Sequence, residues 1–285
     1  MAVKPITYAG NLGSAHAATD FDWSPNIWGD CNFAAIKEGS IPGVAFEHDF
    51  LSFPITPPTT EGNWGPYAVF TDTGGFITPG SGQGGEAVFG SDGDNEGASI
   101  RTVATPFKIM RTLKKFWFEA RVKASTIADT KNGFFIGLMQ NVALTATMPI
   151  AAAGTIGDTN LVGFHRLEGD GDMLDTIYKA DGVTQVTVQA DAVTLVADTY
   201  VKIGMKFEAE TDWQVADPTL AGVNRYVLSF YKDNLRLATT KQIPLAAGTD
   251  FPNDIAMGLV FATLNATGTT PGNNTIDRWR AAQLL

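Results

Sequence analysis

Polar and apolar residues alternate along much of this chain with a period of two. In 115–123, Phe116, Phe118, Ala120 and Val122 fall on one side, and Trp117, Glu119, Arg121 and Lys123 on the other. In 200–208, Val201, Ile203, Met205 and Phe207 oppose Lys202, Gly204, Lys206 and Glu208. This is the signature of a strand with one face in a core and one toward solvent. Further strands are expected at 43–53, 99–104, 133–140, 161–167, 174–179, 184–189, 225–231, 235–240, 255–263 and 275–282. Turn formers separate them, including Asp181-Gly182 and Asp233-Asn234. No amphipathic helix of three turns stands out. Many short strands with regular turns predict an all-β fold, an antiparallel β-sandwich.

The remaining stretches are less regular. Residues 1–40 show little periodicity and read as an extended N-terminal arm, with one domain at 41–285. Residues 61–97 are glycine-rich and read as a long loop with short edge strands threaded through it. Its Gly80-Ser-Gly82-Gln-Gly84-Gly85 run lacks the Gly-Lys-Ser/Thr ending of a phosphate-binding loop. Two long interruptions, 141–160 and 210–224, have lengths often tied to function.

Composition narrows the function classes. With 20 basic and 30 acidic residues the formal charge is −10. No basic cluster suited to phosphates appears, which argues against nucleic acid. No apolar run reaches the ~18 residues of a spanning helix, and residues 1–11 lack the apolar core of a secretory signal. Cys31 is the single cysteine, so no intrachain disulfide forms, and it reads as a small buried hydrophobe. His16, His48 and His165 have no zinc-like spacing and read as structural.

One acidic loop matches calcium chemistry in part. Asp92, Asp94 and Glu96 place oxygens at alternate positions before Gly97, like the front of an EF-type loop, but Val103 stands where its closing acid would be. Glu168, Asp170, Asp172 and Asp175 form a second acidic cluster. The arm carries Phe21, Trp23, Trp28 and Phe33, rings expected to be buried on the sandwich, a sister subunit or another surface. Trp23, Trp64 and Trp213 are candidate aromatic platforms for a glycan.

Several strings resemble a known superfamily. Phe116-Trp-Phe-Glu119-Ala-Arg121-Val-Lys123, then Gly133-Phe-Phe-Ile-Gly-Leu138, then Tyr226-Val-Leu-Ser-Phe-Tyr-Lys-Asp233-Asn234 and Ile276-Asp277-Arg-Trp-Arg280 are similar to strands of the concanavalin A-like jelly roll. That group includes legume-type lectins, laminin G-type modules and family 16 glucanases. The resemblance covers roughly residues 43–283. The glucanase acid triplet, two glutamates around an aspartate, is missing after the 133–138 strand. The nearest look-alike, Glu47-His48-Asp49, comes too early and has Ser52 in place of the last glutamate, so no enzyme activity is expected.

The whole chain also looks like jelly-roll structural proteins of tailed phages. That resemblance implies a capsid decoration (cement) protein on the virion surface, made in the host cytoplasm. Its partner would be the major capsid protein, and it would form a homo-oligomer, a trimer or dimer. Phe21, Trp23, Trp28 and Phe33 would supply the oligomer or capsid contact. The alternative the superfamily implies is a carbohydrate-binding, lectin-like module, and less so a glucanase. No cofactor is expected apart from calcium at Asp92, Asp94 and Glu96.

Overall fold

A computed structural model describes residues 23–50, 61–81, 85–109, 115–129, 132–209, 225–244, 250–265 and 272–285. Strand accounts for 54% and helix for 7%. All pairings between neighbouring strands are antiparallel, and they build two nine-stranded sheets.

The first sheet runs β15 (Leu235–Arg236), β14 (Arg225–Lys232), β13 (Val201–Ala209), β8 (Phe116–Ala124), β18 (Asn274–Leu284), β5 (Ala87–Ser91) and β4 (Gly75–Pro79). Two more strands join it: β1 (Gly43–His48) beside β18, and β16 (Lys241–Pro244) beside β14. The second runs β12 (Val186–Thr194), β11 (Met173–Lys179), β10 (Leu161–Arg166), β9 (Asn132–Gln140), β17 (Ala256–Asn265), β6 (Gly97–Thr102), β3 (Tyr67–Thr71) and β2 (Gly62–Trp64). Here β7 (Phe107–Lys108) pairs with β17.

The inner faces meet in one core. Phe116, Phe118, Ala120 and Val122 of β8 and Ile203, Met205 and Phe207 of β13 pack with Phe134, Ile136 and Leu138 of β9 and with Leu259 and Phe261 of β17. The alternation therefore assigns the inward faces of β8 and β13 correctly. The turn between β14 and β15 follows its chemistry too: Asp233 and Asn234 both take positive φ, as a two-residue hairpin loop requires, whereas Asp181-Gly182 lies in a longer connection in which Gly182 takes positive φ.

Two regions depart from the sequence reading. The stretch read as mainly loop contains β2, β3, β4 and β5. β3 lies between sheet neighbours and is covered on both faces: Tyr67 and Val69 enter the main core, while Ala68 and Phe70 join a second cluster outside it. A strand buried on both faces loses its polar alternation.

The second departure is the arm, which is not extended where it is described. It forms two short helices, α1 (Pro25–Trp28) and α2 (Phe33–Lys37). Pro25 starts α1 at the position where a missing N–H costs nothing, and the Asn32 side chain caps α2 by accepting from Ala35 N–H.

Candidate functional site

Three built surfaces surround the sandwich, and the first is the dock for the arm. The outer face of β8 carries Trp117 and Glu119, both almost fully covered. Glu119 accepts hydrogen bonds from Ser24 N–H (2.9 Å), Ser24 Oγ–H (2.9 Å) and Trp28 Nε1–H (2.7 Å). Burial pushes its carboxyl up, and these donors oppose that shift. Asp30 reaches the other way, to Lys115 (2.7 Å), Lys206 (2.9 Å) and Trp117 Nε1–H (2.9 Å). Burial raises the Asp30 carboxyl, but those donors outweigh it and hold it at about 2. Ile27 sits on Gly204 of β13, where an added Cβ would stand 2.4 Å from its Cδ1.

Of the four rings assigned to partner contact, Phe21 lies outside the described residues. Trp28 and Phe33 are buried within the chain, in a cluster with Ile27, Ile36, Trp117, Tyr231 and Ala282. Trp23 is half-buried beside Trp28, with the guanidinium groups of Arg278 (4.7 Å) and Arg280 (4.3 Å) over its ring. Arg280 is paired in turn with Glu47 at 2.7 Å, so the carboxylate of the glucanase look-alike is taken up in an ion pair. Cys31 is partly buried, and burial, then Asp30, pushes its thiol up to about 12.

The second surface is the outer face of the other sheet. The long 141–160 segment folds over it. Leu144 and Ile150, with Val142, Met148 and Ile156, pack on Phe135, Met139, Leu161, Ile177, Val260 and Leu264. A cavity of only about 10 Å³ remains beneath the segment, between Phe70, Ala98, Met148 and Ala262. That is room for about one water. Leu144 N–H donates to Glu61 (2.6 Å), and His165 Nε2 meets Gly154 O at 2.6 Å, which ties the segment at both ends. The other long interruption, 210–224, which includes Trp213, lies outside the described residues. Trp64 is half-buried.

His165 gives a pH prediction. Burial lowers its pKa below the ordinary histidine value of 6.5. Below about pH 6.5 the unfolded chain then binds the proton more readily, so this group costs stability as pH falls. His165→Gln keeps a donor for Gly154 O. Thermal melts between pH 7.5 and 5 are expected to show a smaller acid-side loss in this variant than in the parent chain.

The third surface is the acidic end of the sandwich, and it sorts the predicted carboxylates. Asp92 and Glu96 converge over Gly74, where an added Cβ would stand 2.0 Å from both Asp92 Oδ1 and Glu96 Oε2. Asp94 parts from them. It accepts from Asn95 Nδ2 (3.0 Å), and the Glu168 carboxyl is pushed up by burial and then by the charge of Asp94. Among the described residues, no group of three His, Cys, Asp or Glu side chains is arranged to hold a metal.

Two members of the second acidic cluster, Asp170 and Asp172, act with Asp129 on a cation of the chain's own. Arg166 is fully buried. It donates to Gly171 O (2.7 Å), Asn132 Oδ1 (2.6 Å), Thr126 O (3.0 Å) and Ala128 O (3.3 Å). Burial lowers its pKa to about 10, against the pull of Asp172, Asp129 and Asp170. Sequence reasoning passed over Glu119, Asp30 and Arg166. The available signal for Arg166 was a lone cation ending an apolar strand just before an acidic turn.

Among the described residues no helix is long and apolar enough to cross a membrane. No protein-family model and no curated protein matches the chain. Solved structures do. Peanut lectin is 12% identical with a TM-score of 0.51, over 85% of this chain and 97% of its own. An endo-1,3-β-glucanase from Streptomyces sioyaensis is 11% identical with a TM-score of 0.51, over 85% and 96%. An endo-β-1,4-glucuronan lyase from the fungus Trichoderma reesei is 12% identical with a TM-score of 0.50, over 78% and 93%. At such identities the likeness is one of fold: the chain has the two-sheet antiparallel jelly-roll sandwich fold that these lectin and glucanase structures share.

Proposed function

We propose that this chain is a non-enzymatic structural virion protein, a capsid decoration protein that binds the outside of a tailed-phage head. The observation that carries this reading is the covered outer face of the second sheet. There the 141–160 segment fills the apolar surface with Leu144, Met148 and Ile150. Recognition then falls to loops, sheet edges and polar ends. Such surfaces suit contact area spread over the neighbours on a shell. The strand sequences similar to tailed-phage jelly rolls support the same reading, and the fold by itself is neutral. The partner is the major capsid protein, the site is the virion surface, and the assembled form is a dimer or trimer.

A glycan-binding reading is favoured by one observation, the half-buried Trp23 ring held by Arg278 and Arg280. One experiment separates the two. Purified protein is sedimented with heads of the phage that encodes it and, in parallel, passed over immobilised glycans and incubated with β-glucan. The expected result is saturable binding to assembled heads, weaker binding to isolated capsid subunits, and no release of reducing sugar. Retention on glycan with no binding to heads would replace the structural reading with the lectin one.

A further inference from the structure

We propose that copies of this chain join head to tail, with Leu235 of one copy seated in an apolar hollow between β1 and the β6–β7 connection of the next. The contact belongs to the virion reading above and rests on it for the choice of a second copy as the occupant.

The hollow measures about 210 Å³. Phe46, Pro66, Val103, Ala104, Pro106 and Phe107 line it, with Thr102 the one polar side chain. The Thr102 hydroxyl is already engaged: it donates to Ala104 O (2.8 Å) and accepts from Leu259 N–H (3.1 Å). The walls are held in place as well. Val103 N–H donates to Pro66 O (2.8 Å), Phe107 pairs with Met257 of β17, and the Phe46 ring meets Tyr67 edge-on at 6.2 Å. A preformed hollow with no side chain free to hydrogen-bond suits an apolar group and not a sugar. A cavity of about 150 Å³ already takes a benzene ring, so there is room for one branched side chain.

The knob is at the opposite edge. Leu235 is the most exposed large apolar side chain among the described residues, at 69%. The turn before it is fixed: Asp233 and Asn234 take positive φ, Asp233 N–H donates to Lys202 O (2.8 Å), and Asn234 is bonded to Asn26. Val196, 60% exposed, sits at the same end, since Lys232 pairs with Leu235 and its Nζ reaches Thr194 O (3.1 Å). Covering this tip removes apolar surface from water. The charges agree. Arg236 beside Leu235 is exposed and has no carboxylate partner among the described residues, and exposed Asp254 lies beside the hollow, 3.3 Å from the Lys108 that follows Phe107.

β14, β13, β8 and β18 lie between β15 and β1, which sets knob and hollow roughly 24 Å apart. A contact between opposite edges is not two-fold. Each copy that fills one hollow keeps its own hollow free, so the contact closes as a ring or runs on as a fibre. Of the dimer and trimer named above, the trimer is the closed form.

The test is size-exclusion chromatography with light scattering on the full chain over a range of concentrations. The expected mass at high concentration is about three times that of one chain. Leu235→Asp removes the knob, and Val103→Asp puts a carboxylate in the hollow. Both positions are exposed, so each variant should keep the parent circular dichroism. Each alone should give the mass of one chain. Mixed in equal amounts they should give about twice that mass, because one intact knob and one intact hollow remain between them. A parent chain that stays at the mass of one chain, a trimer that survives either substitution, or a mixture without the paired species would overturn the contact. Sedimentation with phage heads keeps the two proposals apart. A trimer that ignores heads would sink the virion reading and leave this contact standing, and a monomer that binds heads would do the reverse.

Discussion

Arg166→Met is expected to lower the melting temperature by about 5–10 °C, corresponding to roughly 3–5 kcal/mol. Methionine replaces much of the stem volume and none of the donors. Gly171 O, Thr126 O, Ala128 O and Asn132 Oδ1 would each lose a hydrogen bond, and for Gly171 O and Asn132 Oδ1 the loss falls in a buried place. A buried acceptor stripped of its partner bears the full desolvation penalty, about 1–3 kcal/mol, beyond the modest net value of the bond. Asp129, Asp170 and Asp172 would also lose the cation that faces them. Arg166→Lys separates these causes. It restores charge but not the planar fork that reaches four oxygens from three segments. Less than half of the lost stability should return with lysine. High salt should narrow the deficit of the methionine variant only slightly, because screening acts on the exposed carboxylates and not on the buried carbonyls. A methionine variant that melts within about 1 °C of the parent chain would show that the guanidinium is dispensable.

What the sequence made legible follows from how each residue is solvated. β8 and β13 could be read residue by residue, since the core side of each is apolar and most of the other side is polar. β3 could not, because its two faces enter two different apolar clusters. The outward row of β8 was read as solvent-facing, and Trp117 and Glu119 break that reading because the arm covers them. Helices of four and five residues are too short to show a period, although Pro25 and Asn32 mark their starts. At the acidic end, the presence of carboxylates was plain from Asp92, Asp94 and Glu96. Which of them converge was not, since Asn95 at φ 55° sets the course of the turn and the two carboxylates meet over Gly74 from another connection. Arg166 shows the same limit: its acceptors at Thr126, Ala128 and Asn132 lie 34–40 residues away.

The arm offers the other large effect, and it changes what a truncation means. Glu119→Ala should destabilise the chain by about 3 kcal/mol, a fall of roughly 5 °C in melting temperature. Three donors, two on Ser24 and one on Trp28, lose their shared acceptor under cover. Deleting residues 1–30 should cost more. It removes Ile27 and Trp28, each contributing about 1.5–3 kcal/mol by burial, and it uncovers Trp117 and Tyr231. It also leaves Lys206, itself almost fully buried, without Asp30. The circular dichroism of the truncated protein should stay β-rich while its melt falls. Loss of capsid binding in that truncation would therefore not by itself assign binding to the arm, whereas Glu119→Ala, with every arm residue still present, loosens the dock alone. Protein concentration gives the remaining control. An arm that docks on its own sheet makes the gap in melting temperature between the parent chain and Glu119→Ala independent of concentration, whatever the assembly of the sandwich itself. An arm exchanged with a neighbouring copy makes it rise with concentration, since assembly then stabilises by mass action. The Ser24–Glu119 and Asp30–Lys206 contacts within one chain lead us to expect the first. A concentration-dependent melt that Glu119→Ala abolishes would show instead that the same dock receives the arm of a sister subunit.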